Sequence, residues 1–96
     1  MIIYDPKNLT AITVPKSGCF EFKVSQIVEK TKPDIKYGIF VSRVAINGEK
    51  KGYCIQAYDE PETAKLVLKQ LMQAYQEDSV YRIQDQDEME SFIYRP

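Results

Sequence analysis

The side chains that could carry chemistry are few in this sequence, and they form no recognisable catalytic pattern. The 96-residue chain has no histidine, which removes the commonest general base at neutral pH and the commonest metal ligand. Cys19 and Cys54 have no activating partner close in sequence, and we interpret both as small apolar fillers of strands. Asp59, Glu60 and Glu62 are a carboxylate cluster, but their spacing is better explained by helix capping.

Cofactor and metal patterns are missing from the sequence as well. The four glycines are scattered, and they make neither a GxGxxG pattern nor a P-loop. The acidic segment at residues 84–90 lacks the glycine and the ligand spacing of a calcium loop. We therefore predict a protein that is not an enzyme and that has no cofactor, no metal site and no catalytic residue.

Lysines close to a turn, a loop or an aromatic residue indicate two candidate binding surfaces. Lys50 and Lys51 flank a predicted hairpin turn near Tyr53, and Lys32 and Lys36 flank a predicted loop. Lysines and aromatic rings on a sheet can bind single-stranded nucleic acid, but lysines at turns and edges also protect a sheet against edge pairing. The net charge of −1 favours protection over a nucleic-acid partner.

The elements that must position these residues centre on a β-hairpin. Residues 37–46 and 50–58 are rich in β-branched and aromatic side chains, and Asn47-Gly48 between them is typical of a two-residue type I′ turn. That turn predicts that Ser42 pairs with Tyr53 and Phe40 with Ile55. One face would then carry Phe40, Val44, Tyr53, Ile55 and Ala57, and the other Ile39, Val41, Ala45, Cys54 and Tyr58. Neither face is polar.

A helix is predicted at residues 60–76, directly after the hairpin. Asp59 is the expected N-cap and Glu62 the N3 acid, with Pro61 in the first turn. Apolar residues at helical spacing predict one buried stripe: Ala64, Val67, Leu68, Leu71, Met72 and Tyr75. A strand at residues 80–83 should follow.

The remaining segments predict more sheet and a tail. Strands are expected at residues 2–4, 9–14 and 20–24, with turns at residues 5–8 and 15–18. Residues 25–30 fit either a continued strand or a turn of helix, and residues 31–34 form a loop because Pro33 disfavours helical geometry before it. Residues 85–96 are either a frayed tail or a docked arm.

Length, composition and apolar surface predict a single domain that associates with further copies of itself. The length fits a single domain over residues 1–96, and 44% hydrophobic with 28% charged residues fits a folded chain. No apolar run could span a membrane, and two isolated cysteines favour a cytoplasmic chain with reduced thiols.

One helix cannot cover both apolar faces of the hairpin, and seven tyrosines suit interfaces. We therefore predict a homo-oligomer, most simply a dimer.

The segment from Ala57 to Tyr75 resembles small phage and prophage proteins of Gram-positive bacteria. In that group a hairpin ends in a helix start of the pattern Y-D/S-T/E-E-x-A-K, and the helix ends in A-Y before a last strand. The similar residues here are Asp59-Glu60-Pro61-Glu62-Thr63-Ala64-Lys65 and Ala74-Tyr75. The resemblance implies a host-takeover, counter-defence or regulatory role that is exercised by binding.

The sequence thus predicts an α+β fold with a mainly antiparallel sheet of five to six strands and one long helix packed on one face. The predicted function is that of a small non-enzymatic binding protein that acts on a protein partner. The alternatives are an oligomeric binder of a small ligand such as a signalling nucleotide and, less favoured, a binder of single-stranded nucleic acid.

Overall fold

The computed structural model describes residues 1–16, 18–28, 31 and 34–93. It confirms the α+β class. In chain order its elements are β1 (Ile2–Asp5), β2 (Thr10–Thr13), β3 (Phe20–Val28), β4 (Ile35–Val44), β5 (Lys50–Tyr58), α1 (Pro61–Glu77), β6 (Val80–Arg82) and α2 (Gln86–Ile93).

The strands form two three-stranded sheets, so the predicted single sheet of five to six strands was wrong. The first sheet has the order β2-β1-β6, and the second has the order β3-β4-β5. The pairing of β1 with β6 is parallel, whereas all the other pairs are antiparallel. Strand β5 has a bulge at Ile55. This part of β5 faces β2 across a cleft of about 380 Å³, and the two described strands are not paired by a ladder of hydrogen bonds.

The hairpin turn between β4 and β5 contains one residue more than predicted. The Gly48 N–H donates to the Ala45 carbonyl, the Ala45 N–H donates to the Glu49 carbonyl, and Gly48 has a φ of +85°. This is the pattern of a three-residue loop, in which a turn is followed by a left-handed residue. Asn47-Gly48 correctly marked the position of the turn, but the length of the loop was wrong.

The extra turn residue shifts the register by one position, so that Tyr53 and Cys54 exchange faces. Tyr53 pairs with Val41 and Cys54 with Phe40, whereas the two-residue turn predicted Ser42 with Tyr53. The bulge at Ile55 then restores the expected register, and Gly38 pairs with Ala57. One inserted residue and one bulged residue therefore cancel, and the misplaced faces are confined to the half of the hairpin near the turn.

Helix α1 covers one face of the second sheet and packs across all three of its strands. The buried residues of the helix are Thr63, Ala64, Val67, Leu71 and Ala74. The predicted stripe was wrong at Met72, which is 43% exposed. On the facing sheet Ile39 and Val41 are buried, and the Phe22 ring packs on the Tyr75 ring with centroids 5.6 Å apart.

The start of α1 differs from the predicted capping arrangement. The N-cap is Glu60, which has extended backbone angles and makes no side-chain capping bond. Asp59 instead forms an ion pair with Lys36, while its N–H donates to Gln86 Oε1 at 3.0 Å. The helix ends at Asp78, whose left-handed backbone (φ 52°) closes the last turn.

The sequence left two segments undecided, residues 25–30 and residues 85–96. Strand β3 extends into the first segment, and helix α2 lies in the second. Strand β3 runs through Val28, so residues 25–28 are strand, whereas residues 29 and 30 lie outside the described residues. Helix α2 buries Met89 completely, and Gln86 Nε2 donates to Thr63 Oγ1 of α1 at 3.2 Å. No described helix is long and apolar enough to cross a membrane.

Candidate functional site

Two of the residues predicted from the hairpin share one face of β5. Lys51 pairs with Arg43 and Tyr53 with Val41, and positions two apart on a strand point to the same side. This is the side on which α1 packs, because Val41 pairs with Phe22, whose ring packs on Tyr75 of α1. Lys50 pairs with Val44, and its position therefore belongs to the opposite face.

Of the second predicted surface, the structure describes Lys36 alone, and it lies elsewhere. Lys36 lies at the far end of β4, where it forms an ion pair with Asp59. Lys32 lies outside the described residues. The two predicted lysine surfaces are therefore not one site, and Lys36 already has an acidic partner of its own chain.

Lys51 and Tyr53 line a cleft of about 560 Å³, which we call the basic cleft. Its other walls are Thr13, Pro15, Gly18, Phe20, Arg43 and Gly52. Phe20, Arg43 and Lys51 form one row across the three strands, since Phe20 pairs with Arg43 and Arg43 with Lys51. Tyr53 stands in the next row of the same face.

The electrostatics of the basic cleft are unusual for a sheet. Arg43 and Lys51 are like charges directly opposite each other on neighbouring strands, which is a destabilising arrangement. Both residues are exposed, and neither forms an ion pair within the described residues. A second groove, of about 770 Å³, adjoins the cleft and shares the two cations. Its lining includes one acid, Glu49.

Two aromatic rings complete the basic cleft. Tyr53 is 49% exposed, and partial burial raises the pKa of its phenol, so the group stays neutral at physiological pH. Phe20 is half-buried and rests against Gly18, where an added Cβ would lie 2.3 Å from Phe20 Cε2. The cleft therefore offers two fixed positive charges, a neutral hydroxyl and apolar ring surface.

Sequence reasoning missed Arg43 because it placed the hairpin in the wrong register near the turn, and it missed Phe20 because it did not predict the pairing of β3 with β4. With a two-residue loop, Lys51 would pair with Val44 and Arg43 would lie on the opposite face. A usable signal was present, since Arg43 is the one charged residue in the sequence from 37 to 46. Together with a three-residue loop, that signal would have placed Arg43 opposite Lys51.

The second feature of the sheet is the face opposite α1, which we call the open face. It carries the apolar or small side chains of Ile27, Phe40, Val44, Cys54 and Ala57. Three of these side chains converge over Gly38, where an added Cβ would lie 2.7 Å from Ile27 Cδ1 and 2.9 Å from both Cys54 Sγ and Phe40 Cε2. Among the described elements, α1 alone packs broadly on this sheet, and it packs on the other side.

The open face has a charged border. Glu21 and Lys23 follow its β3 edge, where they pair with Ser42 and Phe40. Lys36 and Asp59 lie at its far end. An apolar centre with a polar rim of both signs is the usual anatomy of a protein interface.

The two cysteines, which we interpreted as small apolar fillers of strands, are exposed and not disulfide-bonded. Partial burial of the Cys54 thiol raises its pKa. Hydrogen bonds with the backbone of Gln56 and Ile39 partly oppose this rise. A thiol with a raised pKa is a poor nucleophile at neutral pH. Within the described residues no three His, Cys, Asp or Glu side chains are grouped to hold a metal ion.

Comparisons with protein-family models, with curated proteins and with solved structures found no match for this chain. The site must therefore be interpreted from its own geometry.

Proposed function

We propose that this chain is a small non-enzymatic binding protein that acts through protein contacts made by the open face. The observation that carries the proposal is the convergence of Ile27, Phe40 and Cys54 over Gly38 on the side of the sheet that α1 leaves bare. Burial of such a cluster against a partner is favourable, at about 25 cal/mol per Å² of apolar surface.

The partner that best fits the open face is a second copy of the chain. A two-fold interface must be complementary to itself, and the border supplies both signs of charge through Glu21, Lys23, Lys36 and Asp59. The face is three strands wide, which at a strand spacing of ~4.8 Å is roughly 15 Å. Such an interface is smaller than the standard ~800 Å² per partner, so the expected dimer is weak, with a Kd on the order of 1–100 µM.

A regulatory or counter-defence role would use the same surface. The resemblance of the segment from Ala57 to Tyr75 to phage and prophage proteins motivates this role, since it implies action by binding rather than by catalysis. A weak homodimer can exchange one copy for another protein on the same face, which would make dimerisation and partner binding mutually exclusive.

The test is the concentration dependence of the oligomeric state, measured by sedimentation equilibrium from 1 to several hundred micromolar. Phe40→Glu and Cys54→Arg each place a charge on the open face, and we expect either change to raise the dimer Kd at least tenfold. Met72→Glu is the matched control, because Met72 is an exposed apolar residue on the outer side of α1. This control should dimerise like the wild type.

Circular dichroism of each variant at low concentration keeps the test independent of folding. A wild-type chain that stays monomeric at several hundred micromolar would overturn the dimer. A dimer that Phe40→Glu and Cys54→Arg leave intact, while both remain folded, would move the interface away from the open face.

A further inference from the structure

The basic cleft lies on the α1 side of the second sheet, away from the open face, and the proposed function does not use it. Its row of Phe20, Arg43 and Lys51 places two cations side by side at a sheet end. Like charges in this position reduce the stability of the fold, and the described residues supply no ion pair that offsets them. An anion that bridges Arg43 and Lys51 would remove the repulsion.

The two cations differ in what they offer an anion. The guanidinium of Arg43 is a planar fork of donors that matches a phosphate or carboxylate in a bidentate manner. The ammonium of Lys51 is a compact charge that satisfies a further oxygen. A phosphate monoester, with up to two negative charges and three terminal oxygens, can engage both groups and balance both charges, whereas a single carboxylate carries one negative charge and balances only one of them.

The aromatic part of the cleft indicates what the phosphate is attached to. Tyr53 lies diagonal to Arg43, and its half-exposed ring has no aromatic partner among the described residues. Stacking of a base on such a ring contributes ~1–3 kcal/mol. The volume of about 560 Å³ lies within the range of ~300–1,000 Å³ that is typical of small-ligand pockets.

We propose that the basic cleft binds a small nucleotide, with its phosphate between Arg43 and Lys51 and its base against Tyr53. A long nucleic-acid strand fits less well, because the net charge of the chain is −1 and backbone tracking requires an extended positive groove. Glu49 in the adjoining groove also disfavours a second phosphate on that side.

The test is a titration of the full chain with adenosine, inorganic phosphate and the four nucleoside monophosphates, followed by calorimetry and by chemical-shift changes. At least one monophosphate should bind, at least about tenfold more tightly than phosphate alone and than the nucleoside alone. Arg43→Gln and Lys51→Gln should each weaken that binding by about tenfold, which is the usual effect of losing a charge-assisted hydrogen bond.

Lys69→Gln is the matched control, because it removes the same charge from an exposed position of α1. It should leave nucleotide binding unchanged. Each cleft variant removes one of two repelling charges, so the melting temperature of the free protein should stay the same or rise, and lost binding is then distinguishable from lost folding.

Three results would overturn the proposal. The first is no binding of any monophosphate at millimolar concentration. The second is equal binding of inorganic phosphate and nucleotide, or a loss of nucleotide binding in Lys69→Gln as large as in Arg43→Gln and Lys51→Gln. Either would indicate unspecific charge attraction. The third is a short oligothymidylate that binds far more tightly than every mononucleotide, which would assign the cleft to a nucleic-acid strand. None of these outcomes depends on the dimer, since Phe40→Glu should retain nucleotide binding.

Discussion

At the scale of single residues, Tyr58 and Tyr81 differ in how deeply they are buried and in how much their hydrogen bonds should contribute to stability. Tyr58 is completely buried, and its hydroxyl donates to the Gln84 carbonyl at 2.5 Å. The Tyr81 hydroxyl donates to Gln70 Oε1 at 2.7 Å, but Tyr81 is itself partly exposed and can exchange this bond for water. The same hydrogen bond is therefore worth more in the first case than in the second.

Tyr58→Phe should reduce the free energy of unfolding by about 1–1.5 kcal/mol, because it removes the hydrogen bond of a phenol that is itself completely buried. Tyr81→Phe should reduce it by about 0.5–1 kcal/mol. Urea unfolding of both variants measures the difference. Equal effects of the two substitutions would contradict the assigned burial.

The same tyrosines predict the alkaline limit of the fold. Burial is the largest cause that raises the pKa of Tyr58, with smaller contributions from Tyr81, Asp5, Glu88 and Cys54. Burial also raises the pKa of Tyr81 to about 12. Because the folded values exceed the unfolded value of about 10, the native state retains protons that the unfolded state loses. The free energy of unfolding should fall above pH ~10, and less steeply in Tyr58→Phe.

At the scale of elements, local patterns were sufficient to locate helix and strands but not their exact edges. The apolar spacing in α1 predicted its position within a residue or two, since helical periodicity is a property of the local sequence. The Asp59 cap was wrong because Lys36, which is distant in sequence, takes the carboxylate in an ion pair. The hairpin register was wrong because one additional loop residue is compatible with Asn47-Gly48.

Leu71→Ala tests the packing of α1. Leu71 is completely buried, so its truncation should reduce the free energy of unfolding by about 2–5 kcal/mol. Met72, the next residue, is 43% exposed, and Met72→Ala should change stability by less than about 1 kcal/mol. Denaturant unfolding of the two variants provides the comparison. A large effect of Met72→Ala would restore the stripe that the sequence predicted.

At the scale of the whole molecule, the arrangement of the sheets was beyond the sequence. Strand pairing depends on contacts between distant segments, and the parallel pairing of β1 with β6 brings together residues about 80 positions apart. The candidate site shows the same limit. Lys51 and Tyr53 were recognised by residue type, but Arg43 and Phe20 join them only through the sheet register.

The apolar second face of the hairpin was, by contrast, accessible from the sequence. Although Tyr53 and Cys54 exchange faces, each side of the sheet keeps enough apolar side chains to require cover. Among the described elements, α1 covers one side of this sheet and none packs broadly on the other. That imbalance is a property of the whole molecule, and it is the physical basis of the dimer that we propose.

The two cysteines provide a measurement of that dimer without any change of sequence. Both are exposed in the single chain. Cys54 belongs to the apolar cluster at the centre of the open face, whereas Cys19 lies at its end near the hairpin turn, where its carbonyl accepts from the Val44 N–H. Dimerisation through the open face should therefore slow the reaction of Cys54 with a thiol reagent as protein concentration rises, and slow that of Cys19 much less, because Cys19 lies at the end of the face. The raised pKa of the Cys54 thiol makes it the slower thiol even in the monomer, because the thiolate is the reacting form. The informative quantity is thus the ratio of the two rates across concentration, measured by mass spectrometry of the labelled peptides.

A constant ratio between 1 µM and several hundred micromolar, in a sample that sedimentation shows to be dimeric, would place the interface elsewhere. A ratio that changes in the wild type but is constant in Phe40→Glu would assign it to the open face.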